Sequence, residues 1–154
     1  MKISGNSGKT EADFRYLYLS PASRQALLGM RILAQAKTSA FRLVGECARR
    51  AGLPGGALAK VFQRLAGRGL LLSQRGPGGG YALARPASQI LLADILRAVH
   101  DIVPGGHPCL LGNHLCGDRE FCPVHKVIIE ADRLVITGFA AVTLEDFAKS
   151  EGWT

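Results

Sequence analysis

Three cysteines and one histidine are grouped within seventeen residues in the second half of the chain. They are Cys109, Cys116, Cys122 and His125, and their spacing is C-x6-C-x5-C-x2-H. Thiolate sulfurs and imidazole nitrogens are the usual protein ligands of iron-sulfur clusters and of zinc. Four such groups form a complete ligand set, so we predict a metal centre on this segment. His107 and His114 are reserve ligands if His125 is not one.

The spacing of these four residues favours an iron-sulfur cluster over zinc. Structural zinc sites commonly use paired C-x2-C motifs, which this segment lacks. A histidine can replace a cysteine on a cluster iron, and a 2Fe-2S cluster needs four protein ligands. A Cys3His zinc site remains the alternative. A disulfide is less favoured, because a cytoplasmic chain is kept reduced and three cysteines leave one thiol over.

The fourth cysteine, Cys47, belongs to a different pattern. It lies on the inward face of a predicted helix together with Val44 and Ala48. A free cysteine commonly behaves as a small buried apolar side chain. We therefore exclude Cys47 from the predicted metal site.

Charge divides the chain into a basic part and an acidic part. Residues 1–100 carry fifteen Lys or Arg and four Asp or Glu, whereas residues 101–154 carry four and eight. A basic module attracts polyanions such as nucleic acid, although a solvated basic surface has the same composition. No apolar stretch reaches the roughly 20 residues of a membrane span, and no signal peptide is recognisable. We expect a soluble, cytoplasmic protein without a membrane partner.

The periodicity of the basic part predicts three helices. The first begins at Ser20-Pro21 and runs to about Lys37, and the second runs from about Leu43 to Ala51, where Gly52 ends it. The third carries an apolar stripe at helical spacing, formed by Leu58, Val61, Phe62 and Leu65. Two short helices joined by a tight turn form a helix-turn-helix, in which the second helix is the recognition element.

A β-hairpin is predicted directly after the third helix. An apolar strand over residues 70–73 is followed by the loop Arg75-Gly76-Pro77-Gly78-Gly79-Gly80 and a returning strand over residues 81–83. A helix from about Gln89 to His100 follows. The fold class is therefore mainly α with a small β-hairpin, a winged helix-turn-helix. The glycine run does not open a helix, and no paired nucleophile and base is recognisable, so we do not expect an enzyme.

The acidic part is predicted to hold the metal segment and a long helix. Residues 101–122 are rich in Gly, Pro and Cys and have no repeating apolar pattern. A helix opening at Pro123 carries apolar residues on more than one face, namely Val127, Ile128, Leu134, Val135 and Phe139. The second apolar face predicts a homodimer. We divide the chain into a flexible tail (1–16), a DNA-binding domain (17–100), a cluster-binding loop (101–122) and a dimerisation helix with a C-terminal segment (123–154).

The wing RGPGGGY and the cysteine segment together resemble the IscR, NsrR and RirA type of winged-helix regulators, over about Ser20 to Phe147. The resemblance implies a homodimeric repressor of palindromic promoter DNA that senses cluster status, redox state or nitric oxide. The C-x2-H ending is similar to IscR-like members, in which three cysteines and a histidine hold a 2Fe-2S cluster. It favours 2Fe-2S over 4Fe-4S, and it implies the iron-sulfur assembly machinery as cluster donor.

Three features depart from that family pattern. Six residues separate Cys109 from Cys116 where the IscR pattern has five, and Arg24 stands where NsrR-like members use an acidic ligand. The recognition helix begins with small residues, so we assign DNA binding to Lys60, Gln63, Arg64, Arg75, Gly78 and Gly79. Two other readings stay open: a zinc-stabilised or metal-free winged-helix repressor, and an interaction module that handles clusters for other proteins.

Overall fold

The structure is a computed structural model that describes residues 19–36, 40–100 and 124–151, and the backbone alone of residues 107–108 and 115–116. The described elements are helices α1 to α6 and strands β1 to β4. The helices are α1(Pro21–Ala34), α2(Val44–Ala51), α3(Gly55–Gly67), α4(Leu92–Val99), α5(His125–Ala140) and α6(Leu144–Lys149). The strands are β1(Leu71–Gln74), β2(Gly80–Leu83), β3(His107–Pro108) and β4(Leu115–Cys116). The expected tail at residues 1–16 lies outside the described residues.

Helix α1 begins where its capping signal predicts. The Ser20 hydroxyl accepts a hydrogen bond from the backbone N–H of Ser23 at 3.1 Å, and Pro21 takes the first helical position. The helix ends at Ala34, three residues before the predicted end. Its inward face buries Ala26, Met30 and Leu33.

Helices α2 and α3 form the predicted helix-turn-helix. Gly52 ends α2 with a φ of 64°, a left-handed conformation in which glycine has no steric penalty. All four residues of the α3 stripe are buried: Leu58, Val61, Phe62 and Leu65. Gly29 lets α1 lie close against α3, because a Cβ there would stand 2.6 Å from the Phe62 ring and 2.7 Å from Leu58 Cδ1.

Strands β1 and β2 form the wing as an antiparallel pair, with Leu71 opposite Leu83 and Gln74 opposite Gly80. The segment before α2 joins this hairpin, since Arg42 and Tyr81 exchange backbone hydrogen bonds of 2.9 and 2.8 Å. The two backbones approach so closely that a Cβ on Gly80, which has a φ of +134°, would collide with the Arg42 carbonyl. The wing is therefore paired with the helix-turn-helix through main-chain atoms. Its inner end also packs against α3, because the Tyr81 and Phe62 rings meet edge-on at 5.1 Å.

Helix α4 is shorter than predicted, because a 3-10 turn at Ala87–Gln89 precedes it and the chain is extended at Ile90 and Leu91. This extended backbone pairs with the segment before α6. Leu92 donates to the Val142 carbonyl at 3.0 Å, and Leu144 donates to the Ile90 carbonyl at 2.7 Å. The pairing brings Leu144 into the core, where it is fully buried.

Helices α5 and α6 differ in how they are attached. Arg31 of α1 donates to the carbonyls of Phe147 and Ser150 at 3.2 and 2.6 Å, and its guanidinium lies 5.5 Å from the Phe147 ring centre. These contacts hold the end of α6 on α1. By contrast, α5 contains no buried residue. Among the described helices, none is both long and apolar enough to cross a membrane.

Candidate nucleic-acid interface and metal segment

The exposed side of α3 carries the predicted DNA-binding residues of the recognition helix. Lys60, Gln63 and Arg64 are all exposed. They lie opposite the buried stripe, since a helix that buries residues 58, 61, 62 and 65 presents the intervening positions to solvent. The first turn of α3 offers only Gly55, Gly56 and Ala57. The polar groups available for a partner are thus concentrated in the middle and end of the helix.

Arg64 has a contact that its position in the sequence does not reveal. Its Nη1 donates to the carbonyl of Val99, the last residue of α4, at 3.2 Å. The hydrogen bond satisfies a carbonyl that the helix end leaves without an intrahelical partner. Arg64 therefore ties the recognition helix to the end of α4, the element that leads into the cysteine segment.

The wing presents one charged residue and two glycines of the predicted set. Arg75 and Gly78 are exposed, and Gly78 has a φ of +72°, which suits glycine. Gly79 is buried inside the turn, where a Cβ would collide with the Gln74 carbonyl, and its N–H donates to the Gly76 carbonyl at 3.0 Å. The structure thus brings Gly79 into the turn itself, whereas Arg75 and Gly78 lie at its surface.

Several basic residues near these elements were not among the predicted contacts. Arg49 and Arg50 are exposed in the last turn of α2, and Arg68 is exposed just beyond α3. Two adjacent arginines within the predicted helix-turn-helix are the sequence signal by which Arg49 and Arg50 could have been included among the candidate DNA contacts. Arg42 differs, because its Nη1 is paired with Glu46 at 2.7 Å.

The predicted metal ligands lie mostly outside the described residues. Cys109 and Cys122 are not described, and Cys116 is described only as backbone in β4. The pairing of β3 with β4 places Cys116 opposite His107, two positions before Cys109 in the sequence. His125 is the first residue of α5 and is half-buried. Within the described residues, no group of three potential ligands comes together.

The end of α4 contacts a second element besides α3. The buried Ser23 hydroxyl of α1 lies 3.0 Å from Nε2 of His100, and the Ser20 hydroxyl donates to the Ser23 oxygen at 2.9 Å. Val99 and His100 thus bind α3 and α1 immediately before the segment that begins at residue 101.

Cys47 is fully buried in the core, as its place on the inward face of α2 predicts. Burial raises the pKa of its thiol, and the neighbouring Glu46 carboxylate raises it further. A thiol that resists deprotonation is a poor metal ligand, because metals bind the thiolate. The environment of Cys47 agrees with its exclusion from the metal segment.

The sequence pattern of the Rrf2 family, described as an iron-dependent transcriptional regulator, matches residues 19–150. The chain belongs to the Rrf2 family. Its family and its relatives are named as transcriptional regulators. This agrees with the prediction that the chain is not an enzyme. Membership of this family and the relatives named IscR confirm the resemblance to IscR-type regulators that was drawn from the wing and the cysteine segment.

Three curated relatives show the extent of the likeness. An HTH-type transcriptional regulator of Aquifex aeolicus is 31% identical over 88% of this chain and 94% of its own length. The HTH-type transcriptional regulator IscR of Cereibacter sphaeroides is 38% identical over 58% of this chain. The match spans 59% of that IscR and 65% of the IscR of Xenorhabdus nematophila.

A solved structure supports the fold. The T. potens IscR has a TM-score of 0.68 with this chain and 24% sequence identity, over 90% of this chain and 96% of the other. The predicted fold class, a mainly helical winged helix-turn-helix with one small hairpin wing, is confirmed by this likeness and by the elements described above.

Proposed function

We propose that this chain is a cytoplasmic, DNA-binding transcription regulator, acting as a repressor, whose affinity for promoter DNA depends on an iron-sulfur cluster. The observation that carries the proposal is the combination of two parts in one chain. A winged helix-turn-helix exposes basic residues on its recognition helix and wing. The C-x6-C-x5-C-x2-H segment follows directly after α4, the helix whose end contacts the recognition helix.

The DNA-binding surface consists of residues from α3 and the wing, namely Lys60, Gln63, Arg64, Arg75, Gly78 and Gly79. Lys60 and Arg75 supply positive charge for phosphates, and such contacts fix the register of a protein on a duplex. Gly78 lets the wing backbone approach the phosphate backbone without a side chain between them, and Gly79, enclosed in the turn, contributes by shaping the loop. We accordingly propose residues 17–100 as the DNA-binding domain.

The donor set fits an iron-sulfur cluster. Cys109, Cys116, Cys122 and His125 supply three thiolates and one imidazole, which is a complete set for a 2Fe-2S cluster, and we favour this type over 4Fe-4S. The cluster would supply a charge that changes with redox state. His125 begins α5, and a helix N-terminus stabilises negative charge nearby. The iron-sulfur assembly machinery is the proposed donor, and residues 101–122 form the cluster-binding loop.

A second copy of the chain is the proposed partner of α5. Val127 and Leu134 are 62% and 75% exposed, and they stand seven residues apart, so they lie on one side of the helix. Two copies paired through this side give a two-fold dimer, which suits a palindromic operator. Residues 123–154 are then the dimerisation helix and C-terminal segment.

The cluster proposal is tested by purifying the full chain without oxygen and recording its visible absorption spectrum. We expect sulfide-to-iron charge-transfer bands that are lost in Cys122→Ala and retained in Cys47→Ala, the matched control. Iron and sulfide analysis then gives the cluster type. A colourless wild-type protein that contains stoichiometric zinc would instead support a zinc-stabilised repressor.

The DNA-binding proposal is tested separately, by fluorescence anisotropy with promoter DNA from its own gene neighbourhood, in the cluster-loaded and the metal-free state. We expect sequence-selective binding that weakens steeply with salt, because bound phosphates release counterions. Loss of selectivity in both states would favour the alternative that the chain is an interaction module for cluster handling.

A further inference from the structure

The face of α3 opposite the core contains very few groups that can read a base. Because residues 58, 62 and 65 point inward, the outward face is formed by Gly56, Ala59, Lys60 and Gln63, at positions i, i+3, i+4 and i+7. Gly56, Lys60 and Gln63 are exposed and Ala59 is partly exposed. Gly67, at i+11, is exposed on the same side and completes this face at the end of the helix.

The chemistry of these positions leaves one residue able to recognise a base through two hydrogen bonds. Gly56 and Ala59 offer no hydrogen-bonding side chain, and Lys60 offers a single flexible ammonium group. Arg64 lies at the edge of this face, and because its Nη1 donates to the Val99 carbonyl at 3.2 Å, we assign it a phosphate contact rather than a bidentate base contact. Gln63 carries both an amide donor and an amide acceptor on one rigid plane. It is exposed, and no hydrogen bond joins it to any described residue.

We propose that Gln63 is the specificity-determining residue of the recognition helix and that it reads an adenine in the major groove. A glutamine amide matches the N6 donor and the N7 acceptor of adenine in a bidentate pair. The inference rests on the proposed DNA-binding function and adds the identity of one base to it.

The small residues at the start of α3 make this contact geometrically accessible. Gly55, Gly56 and Ala57 carry nothing longer than a methyl group, so the helix can lie deep in a groove before side chains collide with DNA. Gln63 stands two turns further along, and its longer side chain spans the greater distance to the base edges there. The remaining selectivity then comes from the wing and from DNA shape and deformability.

The test is selection of binding sites from a randomised DNA pool by the full-length protein, followed by the same selection with Gln63→Ala and Gln63→Glu. We expect a two-fold symmetric site with one adenine per half-site that Gln63→Ala no longer selects, while the other positions are kept. Gln63→Glu should shift that position to cytosine, since a carboxylate accepts from cytosine N4. Replacing the adenine should weaken wild-type binding roughly 5- to 150-fold and leave Gln63→Ala almost unaffected.

Lys60→Ala is the matched control on the same face. It should weaken binding to all sequences about equally and reduce the salt dependence by about one phosphate contact. Circular dichroism establishes that each variant is folded, which exposed positions of this helix should allow. Identical sites for the wild type and both Gln63 variants would overturn the inference while leaving DNA binding intact. No enriched site for the wild type would overturn the DNA-binding proposal and this inference with it.

Discussion

The described part of the winged helix-turn-helix and helix α5 bury their apolar side chains to different extents. The winged helix-turn-helix encloses Met30, Leu58, Phe62 and Ile95 completely, and α6 returns to add Leu144 to the same core. Helix α5 is also rich in apolar residues, but among the described residues none of them is fully buried, and Phe139 packs only partly buried against this core. The DNA-binding unit thus contains its own apolar core, whereas α5 leaves apolar side chains exposed that a second copy of the chain is proposed to cover.

The largest expected effect is on the internal core. Phe62→Ala should lower the free energy of unfolding by about 3–5 kcal/mol, because it removes a fully buried ring that packs against Tyr81 and lies beside Gly29. Urea denaturation followed by circular dichroism measures the change. A loss below about 1 kcal/mol would show that the core tolerates a cavity and would remove the contrast with α5.

Substitutions on α5 should instead act on association. Leu134→Asp should raise the dimer dissociation constant about 10-fold or more, since burial of a leucine side chain is worth about 1.5–3 kcal/mol and a charge in its place must be desolvated. Sedimentation equilibrium measures the constant. Arg133→Gln, at an exposed position on a different side of the same helix, is the control. A Leu134→Asp protein with unchanged association would mean that the exposed side of α5 is not the interface.

The attachment of the wing can be probed with two glycines of the same loop. Gly80→Ala should destabilise the protein by about 1–3 kcal/mol, because its backbone conformation is one that only glycine adopts readily and the new Cβ meets the Arg42 carbonyl. Gly78→Ala has a positive φ as well but open space around it, so it should cost less. Both substitutions strain a backbone with positive φ, but only the one at Gly80 also causes a collision. The difference between the two melting temperatures therefore measures the cost of the collision. Equal costs would show that contact with Arg42 is unimportant.

The smallest effect is expected at the start of α6, where Thr143 and Asp146 form a capping box. Hydrogen bonds from the Thr143 side chain and backbone hold the pKa of Asp146 below its ordinary value. A carboxyl with a lowered folded-state pKa stabilises the protein above its unfolded-state pKa, and this contribution is lost as the pH falls through the folded-state value. The destabilisation caused by Thr143→Ala should therefore shrink in acid, as measured by urea denaturation at pH 7 and below pH 3.

Local patterns predicted the helices and the wing, and the structure differs from them where distant segments meet. The cap at Ser20 predicts the start of α1, and Gly52 predicts the end of α2. The apolar stripe of α3 predicts its buried face, and all three signals lie within a few residues of the element concerned. The delayed start of α4 was not predictable, because Ile90 and Leu91 are held extended by pairing with residues 142–144, about fifty positions away. A helical periodicity carries no information about such a bridge.

The candidate site was predictable in its chemistry but not in its contacts. Exposure of Lys60, Gln63, Arg75 and Gly78 follows from their positions relative to the apolar stripe and the turn. The bond from Arg64 to Val99 and the enclosure of Gly79 depend on tertiary packing and on the path of the backbone in the turn. The ligand assignments at Cys109, Cys116, Cys122 and His125 stay predictions that the spectroscopic experiment tests.

The hydrogen bonds of Arg31 hold the end of α6 in place on α1. Helix α5 runs from the cysteine segment at His125 to Ala140, close to this attachment, and under the proposed cluster and dimer it would work as a lever of sixteen residues, about 24 Å long, within the limits set by its packing on α4. A shift of about 2 Å at the His125 end tilts such a lever by about 5°. In a dimer paired through α5, the tilt would change the separation of the two recognition helices, which must match half-sites about 34 Å apart. A small rearrangement around the proposed metal centre would then change the distance between the two DNA-binding surfaces.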